Sequence, residues 1–356
     1  MLDSICTVSS EKPLLSIVIV PDSTAHATGN ALRDAMKQSL RELEIVVVDD
    51  GHLSDIPAPT LHQLAGADPR VRIVSLHEND APSAPLRAGI EAATGLYLYL
   101  ADNETRLRPE AAASWVDSAR STGADLLLLS FTTGQPDAAT PADGFPLDKD
   151  AYHREEYMRL IYSRGYHFEL WAHLIKRSLT ERDLIYPRTL QTGIDAYLLT
   201  QLLHFARAIR ADRGPTLLHR TRLDRITPAQ TLTDRQAIDL LEYPDDIDRY
   251  LRGKTEYPAV DSALAQHQLA MLQLAVSGAY KRVIDRAAER AVRLYHRFPE
   301  LMRIKKCRRF NLLFRLYLFS PALASFVALG YKIRRRISWD HPLEYERSEH
   351  PNRTED

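Results

Sequence analysis

The chain has 356 residues, of which 45% are hydrophobic and 26% charged, so it can bury a large core and we expect more than one domain. Its formal net charge of −1 gives no general attraction for polyanions, and we expect no nucleic-acid partner. Two widely separated cysteines, Cys6 and Cys307, exclude a disulfide framework or cysteine zinc spacing, and no apolar stretch of signal-peptide length opens the chain.

Short apolar runs alternate with helical patterns along the first part of the chain. The predicted strands are Leu15–Val20, Glu44–Asp50, Val71–Leu76, Leu96–Leu100 and Asp125–Phe131. The predicted helices between them are Ala31–Leu40, Thr60–Gly66, Ala84–Ala93 and Pro109–Thr122. This alternation predicts an α/β fold whose mostly parallel sheet is flanked by helices on both faces. No Gly-x-Gly-x-x-Gly follows the first run, so a dinucleotide fingerprint is absent.

An acidic motif, Asp102-Asn103-Glu104, follows the fourth apolar run. Residues two apart in an extended chain point the same way, so the carboxylates of Asp102 and Glu104 are expected side by side. Such oxygen ligands suit Mg²⁺ or Mn²⁺, which in turn binds a diphosphate. Asp49 and Asp50 also end a predicted strand, and open α/β sheets bind ligands beyond such ends. The pattern points towards a nucleotide-sugar ligand, and the alternative is a polar turn.

The last part of the chain changes character twice. Residues 229–300 have only helical patterns and predict a helical domain. Residues 301–337 contain ten basic residues and no acid, so the rest of the chain carries −11. Their uncharged stretch, 316–331, has 16 residues, fewer than the roughly 20 of a membrane-spanning helix. We expect residues 303–336 to lie on an anionic membrane surface; the alternative is a buried helix with basic ends. Residues 1–12 and 338–356 are predicted tails, the latter flexible.

In order and spacing, the motifs resemble those of the inverting family 2 glycosyltransferases, which have the GT-A fold. The similar segments lie between residues 13 and 228. They read PLLSIVIVP, LEIVVVDDG, DPRVRIVSLHEND, AGIEAATGLYLYLADNETRLRPEA, WAHLIKRSL, TGIDAYLLTQLLHFARAI and TLLHRTRLDRIT. The resemblance implies a GT-A domain over residues 13–228.

The resemblance assigns the acidic residues to donor binding and catalysis. Asp49 or Asp50 would contact the nucleotide base, and Asp102 and Glu104 would match the family's Asp-x-Asp on ribose and on diphosphate-bound Mn²⁺ or Mg²⁺. Asp195 would be the general base that deprotonates the acceptor hydroxyl, so that one displacement inverts the anomeric carbon. An aspartate opening the helical run 196–208 is also favoured by the backbone N–H groups there, without any chemistry.

The resemblance also suggests residues around the diphosphate and the acceptor. His219 would complete the metal shell, although a solvated strand-end histidine is the alternative. Arg220 and Arg222 could fork onto a diphosphate, or simply be solvated. Trp171 could stack on an acceptor sugar, or belong to the core. Arg87, a candidate nucleotide contact, stands one position after the family's arginine.

Several positions depart from the family pattern, and three of them bear most on the expected activity. Leu86 stands where the family has arginine, Thr105 replaces a further acid, and Ile194 replaces the acid before the base. The resemblance implies a metal-dependent inverting hexosyltransferase that moves a sugar from a nucleotide-sugar, UDP-linked by family frequency. Its acceptor would be a saccharide or lipid-linked glycan in cell-surface polysaccharide synthesis, at the cytoplasmic face of the cell membrane. The departures keep open a degenerate relative that binds nucleotide or sugar or serves as a partner subunit, and a nucleotidyltransferase ranks below both.

Overall fold

A computed structural model describes residues 12–20, 28–51, 58–76, 81–102, 105–133, 149–164, 169–219 and 233–278, together with 290, 294 and 297. The chain divides into two compact units. Unit 1 comprises residues 1–153, 169–188 and 201–223, and unit 2 comprises residues 154–168, 189–200 and 224–356. The domain limits expected from the sequence stay predictions. Residues 1–11 of the first tail, the whole second tail and the basic segment lie outside the described residues.

Unit 1 contains one mixed sheet, with nine strands among the described residues. They are β1 (Leu15–Ile19), β2 (Leu43–Asp49), β3 (Val71–Ser75), β4 (Tyr97–Ala101), β5 (Thr105–Leu107), β6 (Leu126–Thr133), β7 (Ala151–Tyr152), β8 (His173–Lys176) and β9 (Ile209–His219). The order across the sheet is β3-β2-β1-β4-β8-β6-β9-β5, and β7 also pairs with β9. Strands β1 to β4 are parallel, whereas β5, β7 and β8 run antiparallel to their neighbours. The predicted α/β architecture with a mostly parallel sheet is confirmed.

Helices connect the strands and form most of the described part of unit 2. They are α1 (Thr28–Met36), α2 (Ala58–Ala67), α3 (Ala84–Ala92), α4 (Ala111–Thr122), α5 (Arg154–Arg164), α6 (Arg177–Thr180), α7 (Ile194–Phe205), α8 (Asp234–Leu251) and α9 (Tyr257–Gly278). Helix α1 ends at Met36, before the predicted Leu40, and the Gln38 side chain turns back to donate to the Asp34 carbonyl at 3.0 Å.

The central strands are apolar throughout because both faces of the sheet are covered. Ile17, Ile45 and Tyr99 belong to a buried cluster on one face, together with residues of α1, α2 and α4. On the other face α3 approaches so closely that a Cβ on Gly89 would lie 2.5 Å from Val18 Cγ1. Each fully buried aliphatic side chain contributes about 1.5–3 kcal/mol to folding. This packing fixes the strands whose carboxyl ends carry the acidic residues.

In unit 2, α5 and α8 both pack against α9. Helix α8 begins with a capping box, in which the Thr233 hydroxyl accepts from the Gln236 backbone N–H and the Gln236 side chain accepts from the Thr233 N–H. Of the region after residue 228 that was predicted to be helical, the described part consists mainly of α8 and α9. No helix in the described ranges combines the length and the apolar character needed to cross a membrane.

Candidate active site

The carboxyl ends of β2 and β4 lie at the same edge of the sheet, on either side of β1. In this register Ile19 is opposite Val47 of β2 and Ala101 of β4. Adjacent strands are about 4.8 Å apart, so the two ends are separated by about 10 Å across β1. The fold thus brings Asp49 and Asp50, which end β2, to the same edge as Asp102, which follows β4.

Asp102 has a turn-forming contact of its own. Its Oδ1 accepts a hydrogen bond from the Thr105 backbone N–H at 2.8 Å, and Thr105 begins β5. Burial, with a contribution from the nearby Asp102 charge, raises the pKa of Tyr99 in β4. Asp102 is half-buried at the strand end, and its carboxylate is hydrogen-bonded to the first residue of β5.

Asp49 and Asp50 stand where the chain leaves β2. The Asp49 carboxylate accepts from the Gly51 N–H at 3.0 Å, and the Asp49 carbonyl accepts from Leu76 N–H at 2.8 Å. Gly51 has a φ of +79°, which a side chain would strain. The tight exit keeps both aspartates at the edge of the sheet.

The register of β5 brings His219 next to the acidic motif. Thr105 pairs with His219 of β9, so the His219 backbone lies beside the residue that follows Glu104. Glu104, the side chain of His219, Arg220 and Arg222 lie outside the described residues. Among the side chains that are described, no group of three His, Cys, Asp or Glu residues is placed to hold a metal ion. Of the predicted ligands, the described part contributes the carboxylate oxygens of Asp102, a donor type that suits Mn²⁺ or Mg²⁺.

Asp34 of α1 and Gln38, two residues after that helix, hold the segment after the acidic motif in place. Neither residue was predicted from the sequence to have this role. Asp34 accepts two hydrogen bonds from the Arg106 guanidinium and one from Leu107 N–H. Gln38 donates to the Arg108 carbonyl at 2.9 Å and accepts from Ala112 N–H at 2.9 Å. The sequence did contain a signal that the Asp34 side chain is buried. Asp34 follows Ala31 by three residues, so both lie on the buried face of α1.

Arg87 and Leu86 occupy the first half of α3. The Arg87 guanidinium pairs with Glu91 at 2.7 Å and lies 5.8 Å from the centre of the Tyr186 ring. Leu86 is half-buried. The predicted nucleotide contact of Arg87 stays a prediction, and its charge has a partner on its own helix.

Trp171 belongs to a one-turn 3-10 helix, Leu170–Ala172, in unit 1. Its ring is 4% exposed and meets Phe131 edge-on, with 5.2 Å between ring centres. The side chain is part of the hydrophobic core, which leaves little ring surface for stacking on a sugar.

Asp195 lies in unit 2, in the first turn of α7. Gly193, with a φ of +84°, precedes the helix, and its carbonyl accepts the Tyr197 N–H at 3.1 Å. The side chain of Asp195 is half-buried. Its location agrees with the expected helix start and leaves its chemical role a prediction.

Comparison with known proteins finds one family model and several relatives that are similar to parts of the chain. Residues 16–176 match the family model described as Glycosyl transferase family 2. The succinoglycan biosynthesis protein ExoO of Rhizobium meliloti (strain 1021) is 31% identical over 114 residues, which are 32% of this chain and 32% of that protein. The matched region therefore spans less than two thirds of that relative.

Solved structures share the fold over most of the chain. S. aureus TarS 1-349 in complex with UDP has a TM-score of 0.52 at 15% identity, covering 92% of this chain and 93% of that one. The mannosyltransferase PcManGT from Pyrobaculum calidifontis, in complex with GDP-Man and Mn²⁺, has a TM-score of 0.50 at 15% identity, covering 92% and 89%. At this level of identity, the likeness shows a common fold.

Proposed function

Because residues 16–176 match the model of glycosyl transferase family 2, we propose that the protein is an inverting glycosyltransferase with a nucleotide-sugar donor. The observation that carries this proposal is the placement of Asp49, Asp50 and Asp102 at the same edge of the sheet, on either side of β1. Ligands of open α/β sheets bind beyond the carboxyl ends of the strands. The acceptor would be a saccharide or a lipid-linked glycan.

The donor is bound by the residues that follow β2 and β4. Asp49 or Asp50 accepts a hydrogen bond from the nucleotide base, and Asp102 contacts the ribose and the diphosphate region. A divalent ion, Mn²⁺ or Mg²⁺, held by Asp102, Glu104 and His219, would supply Lewis-acid stabilisation of the departing diphosphate. Support comes from two proteins of the same fold, one solved with UDP and the other with GDP-Man and Mn²⁺. UDP is the proposed carrier.

The acceptor is activated by Asp195. Its carboxylate takes the proton of the acceptor hydroxyl as that oxygen bonds to the anomeric carbon. The bond from that carbon to the diphosphate oxygen breaks on the opposite face, and the nucleoside diphosphate leaves with the electron pair. One displacement inverts the configuration. Trp171, Arg220 and Arg222 remain acceptor-side or diphosphate candidates, Trp171 the weakest because its ring is buried.

We place this reaction in cell-surface polysaccharide synthesis at the inner membrane face. The name of ExoO, a succinoglycan biosynthesis protein, supports a polysaccharide product. The ten basic residues within 303–336 support peripheral attachment, since each basic residue near an anionic surface contributes about 1 kcal/mol. A lipid-linked acceptor would be presented at that surface.

A catalytically degenerate relative is the competing function. It is favoured by the departures at Leu86 and Ile194 and by the pairing of Arg87 with Glu91. Such a protein would bind a nucleotide or sugar without turning it over. Thr105, the third departure, is 3% exposed and donates its N–H to the Asp102 turn.

Donor hydrolysis tests the proposal on the full chain. The purified protein is incubated with UDP-, GDP- and dTDP-sugars plus Mn²⁺ or Mg²⁺, with and without EDTA, and released nucleoside diphosphate is measured. We expect slow, EDTA-sensitive release from one donor. No release from any donor, together with no thermal shift by any nucleotide, would favour the degenerate relative.

An Asp195→Asn variant separates the two functions further. If Asp195 is the catalytic base, the variant should lose transfer of the sugar to the acceptor, while its binding of the donor is unchanged. Asp117→Asn serves as the control because it removes the same charge from an exposed position of α4. Equal transfer by Asp195→Asn and the control would remove Asp195 from the mechanism.

A further inference from the structure

One face of α8 lies along the segment that leads into α7, within unit 2. Arg235, Asp239 and Tyr243 are spaced four residues apart, so they project from the same side of the helix. The segment they meet is residues 189–193, directly before Ile194, the first residue of α7. We call these three side chains the α8 clamp.

Asp239 and Arg235 together grip the backbone of this segment. The Oδ2 atom of Asp239 accepts from the Gln191 N–H at 2.6 Å and from the Thr192 N–H at 3.1 Å. Arg235 Nη2 lies 2.8 Å from Asp239 Oδ1 and also donates to the Thr189 carbonyl. Two side chains thus bind three polar groups of a four-residue stretch, which leaves its path little freedom.

The position of Asp239 has an energetic cost. Its side chain is completely buried, and burial raises its pKa despite the two backbone hydrogen bonds and Arg235. A carboxylate is expensive to bury unless several partners offset its lost hydration. A surface loop can be ordered without burying a carboxylate. The buried Asp239 therefore indicates a specific role for its contact with residues 191 and 192.

Tyr243 fixes the last residue before the helix. A Cβ at Gly193 would lie 2.2 Å from Tyr243 Cδ1, so only glycine fits beside the ring. The Tyr243 hydroxyl is hydrogen-bonded to His267 Nε2 of α9 at 2.8 Å, in a buried setting. The ring is therefore held from α9, and it sets how closely α7 can begin against α8.

We propose that the α8 clamp positions Asp195, which follows Gly193 by two residues. This inference rests on the proposed function, in which Asp195 is the general base. Because a helix moves as a stiff rod, the path of residues 189–193 determines where its first turn stands. A base displaced by about 1 Å can lose about 100-fold in rate, whereas donor binding does not depend on it. Arg235, Asp239 and Tyr243 are positioning residues and need not touch either substrate.

The test is Asp239→Asn in the full chain, assayed for transfer with radiolabelled donor. Asparagine keeps the volume but places an N–H₂ group in a pocket made for a carboxylate. We expect the transfer kcat to fall about tenfold or more, with donor KM and donor Kd unchanged. The control is Asp246→Asn, which lies on the same helix and pairs with Arg249 at 2.6 Å, and it should keep wild-type kcat.

A double-mutant cycle distinguishes positioning from general damage. If Asp239 acts through Asp195, Asp239→Asn adds no further loss to the residual rate of Asp195→Asn. The same fold loss in both backgrounds, or an unchanged kcat in the single variant, would overturn the clamp. Wild-type transfer by Asp195→Asn would instead show that the proposed base itself is wrong, and the clamp would fall with it.

A second variant carries the test if Asp239→Asn does not fold. Arg235→Gln removes the link to the Thr189 carbonyl and the ion pair with Asp239, while Asp239 keeps its two backbone amide partners. The Arg235 side chain is 38% exposed, so its loss is easier to tolerate. We expect a smaller kcat loss with the same lack of additivity towards Asp195→Asn; a wild-type kcat would contradict the proposal.

Discussion

The carboxylate of Asp34 and the guanidinium of Arg106 form a forked ion pair that ties α1 to β5. Arg106 Nε lies 2.6 Å from Oδ2 and Nη2 lies 2.9 Å from Oδ1. Leu107 N–H also donates to Oδ2, at 3.1 Å. The Asp34 side chain is 5% exposed. Because β5 is three residues long and directly follows the acidic motif, this pair helps to hold the end of that motif in place.

Asp34→Asn should lower the free energy of unfolding by about 2 kcal/mol, since it weakens hydrogen bonds between charged groups at a buried site. Urea unfolding measures the change. The control is Glu91→Gln, which breaks the exposed pair with Arg87 and should cost less than about 1 kcal/mol. Equal losses in the two variants would show that the forked pair is no stronger than a surface pair.

Asp102→Asn should reduce sugar transfer about 100-fold or more, because the charge needed near the diphosphate and its ion is lost. Stability should hardly change, since the asparagine oxygen can still accept from Thr105 N–H. Transfer assays and thermal unfolding are compared with Asp102→Ala. That variant should lose the same activity and, in addition, about 1 kcal/mol of stability. Full transfer by Asp102→Asn would reject the donor and metal role.

Gly193→Ala should destabilise the protein more than Gly253→Ala. The two glycines have nearly the same φ, +84° and +85°. Alanine at 253 meets no atom within 4 Å and should cost about 1–2 kcal/mol for the left-handed conformation alone. Alanine at 193 also collides with Tyr243, which should add about 1–3 kcal/mol. Urea unfolding of both variants isolates the collision, and equal losses would mean that the ring moves aside freely.

His173 should make the protein less stable in acid. Burial in β8 lowers its pKa to about 4 from an ordinary 6.5, and its Nδ1 is hydrogen-bonded to the Glu169 carbonyl at 2.9 Å. Between these values the unfolded chain binds a proton that the folded protein does not. Stability is therefore lost as the pH falls from 6.5 to about 4, by a total of about 3 kcal/mol.

His173→Gln should remove this part of the pH dependence. The measurement is the free energy of unfolding by urea at several pH values, for the variant and the wild type. His62→Gln is the control, because His62 is exposed on α2. The hypothesis fails if His173→Gln and wild-type stabilities fall in parallel between pH 6.5 and 4.

The sequence predicted the strands that have continuous apolar runs, whether they lie inside the sheet or, like β3, at its edge. β1, β2, β3, β4 and β6 were recognised within one or two residues because their apolar runs are continuous. In β1, β2, β4 and β6 this continuity follows from burial on both faces, whereas β3 is more exposed. β5, β7 and β8 were missed. They are two to four residues long and antiparallel to their neighbours, so their pairing depends on strands distant in sequence rather than on a local pattern.

By itself the sequence determined where the acidic residues stand along the chain: Asp49 and Asp50 at the exit of β2, Asp102 after β4, and Asp195 at the start of α7. Such positions follow from local periodicity, which one segment carries alone. Only the tertiary structure decided what holds them. Asp34 and Arg106 are 72 residues apart, and Gln191 and Asp239 are 48 apart. These pairs form because folding packs α1 against the segment after the acidic motif and α8 against the segment before α7. A local sequence pattern cannot predict which distant group a buried charge will contact.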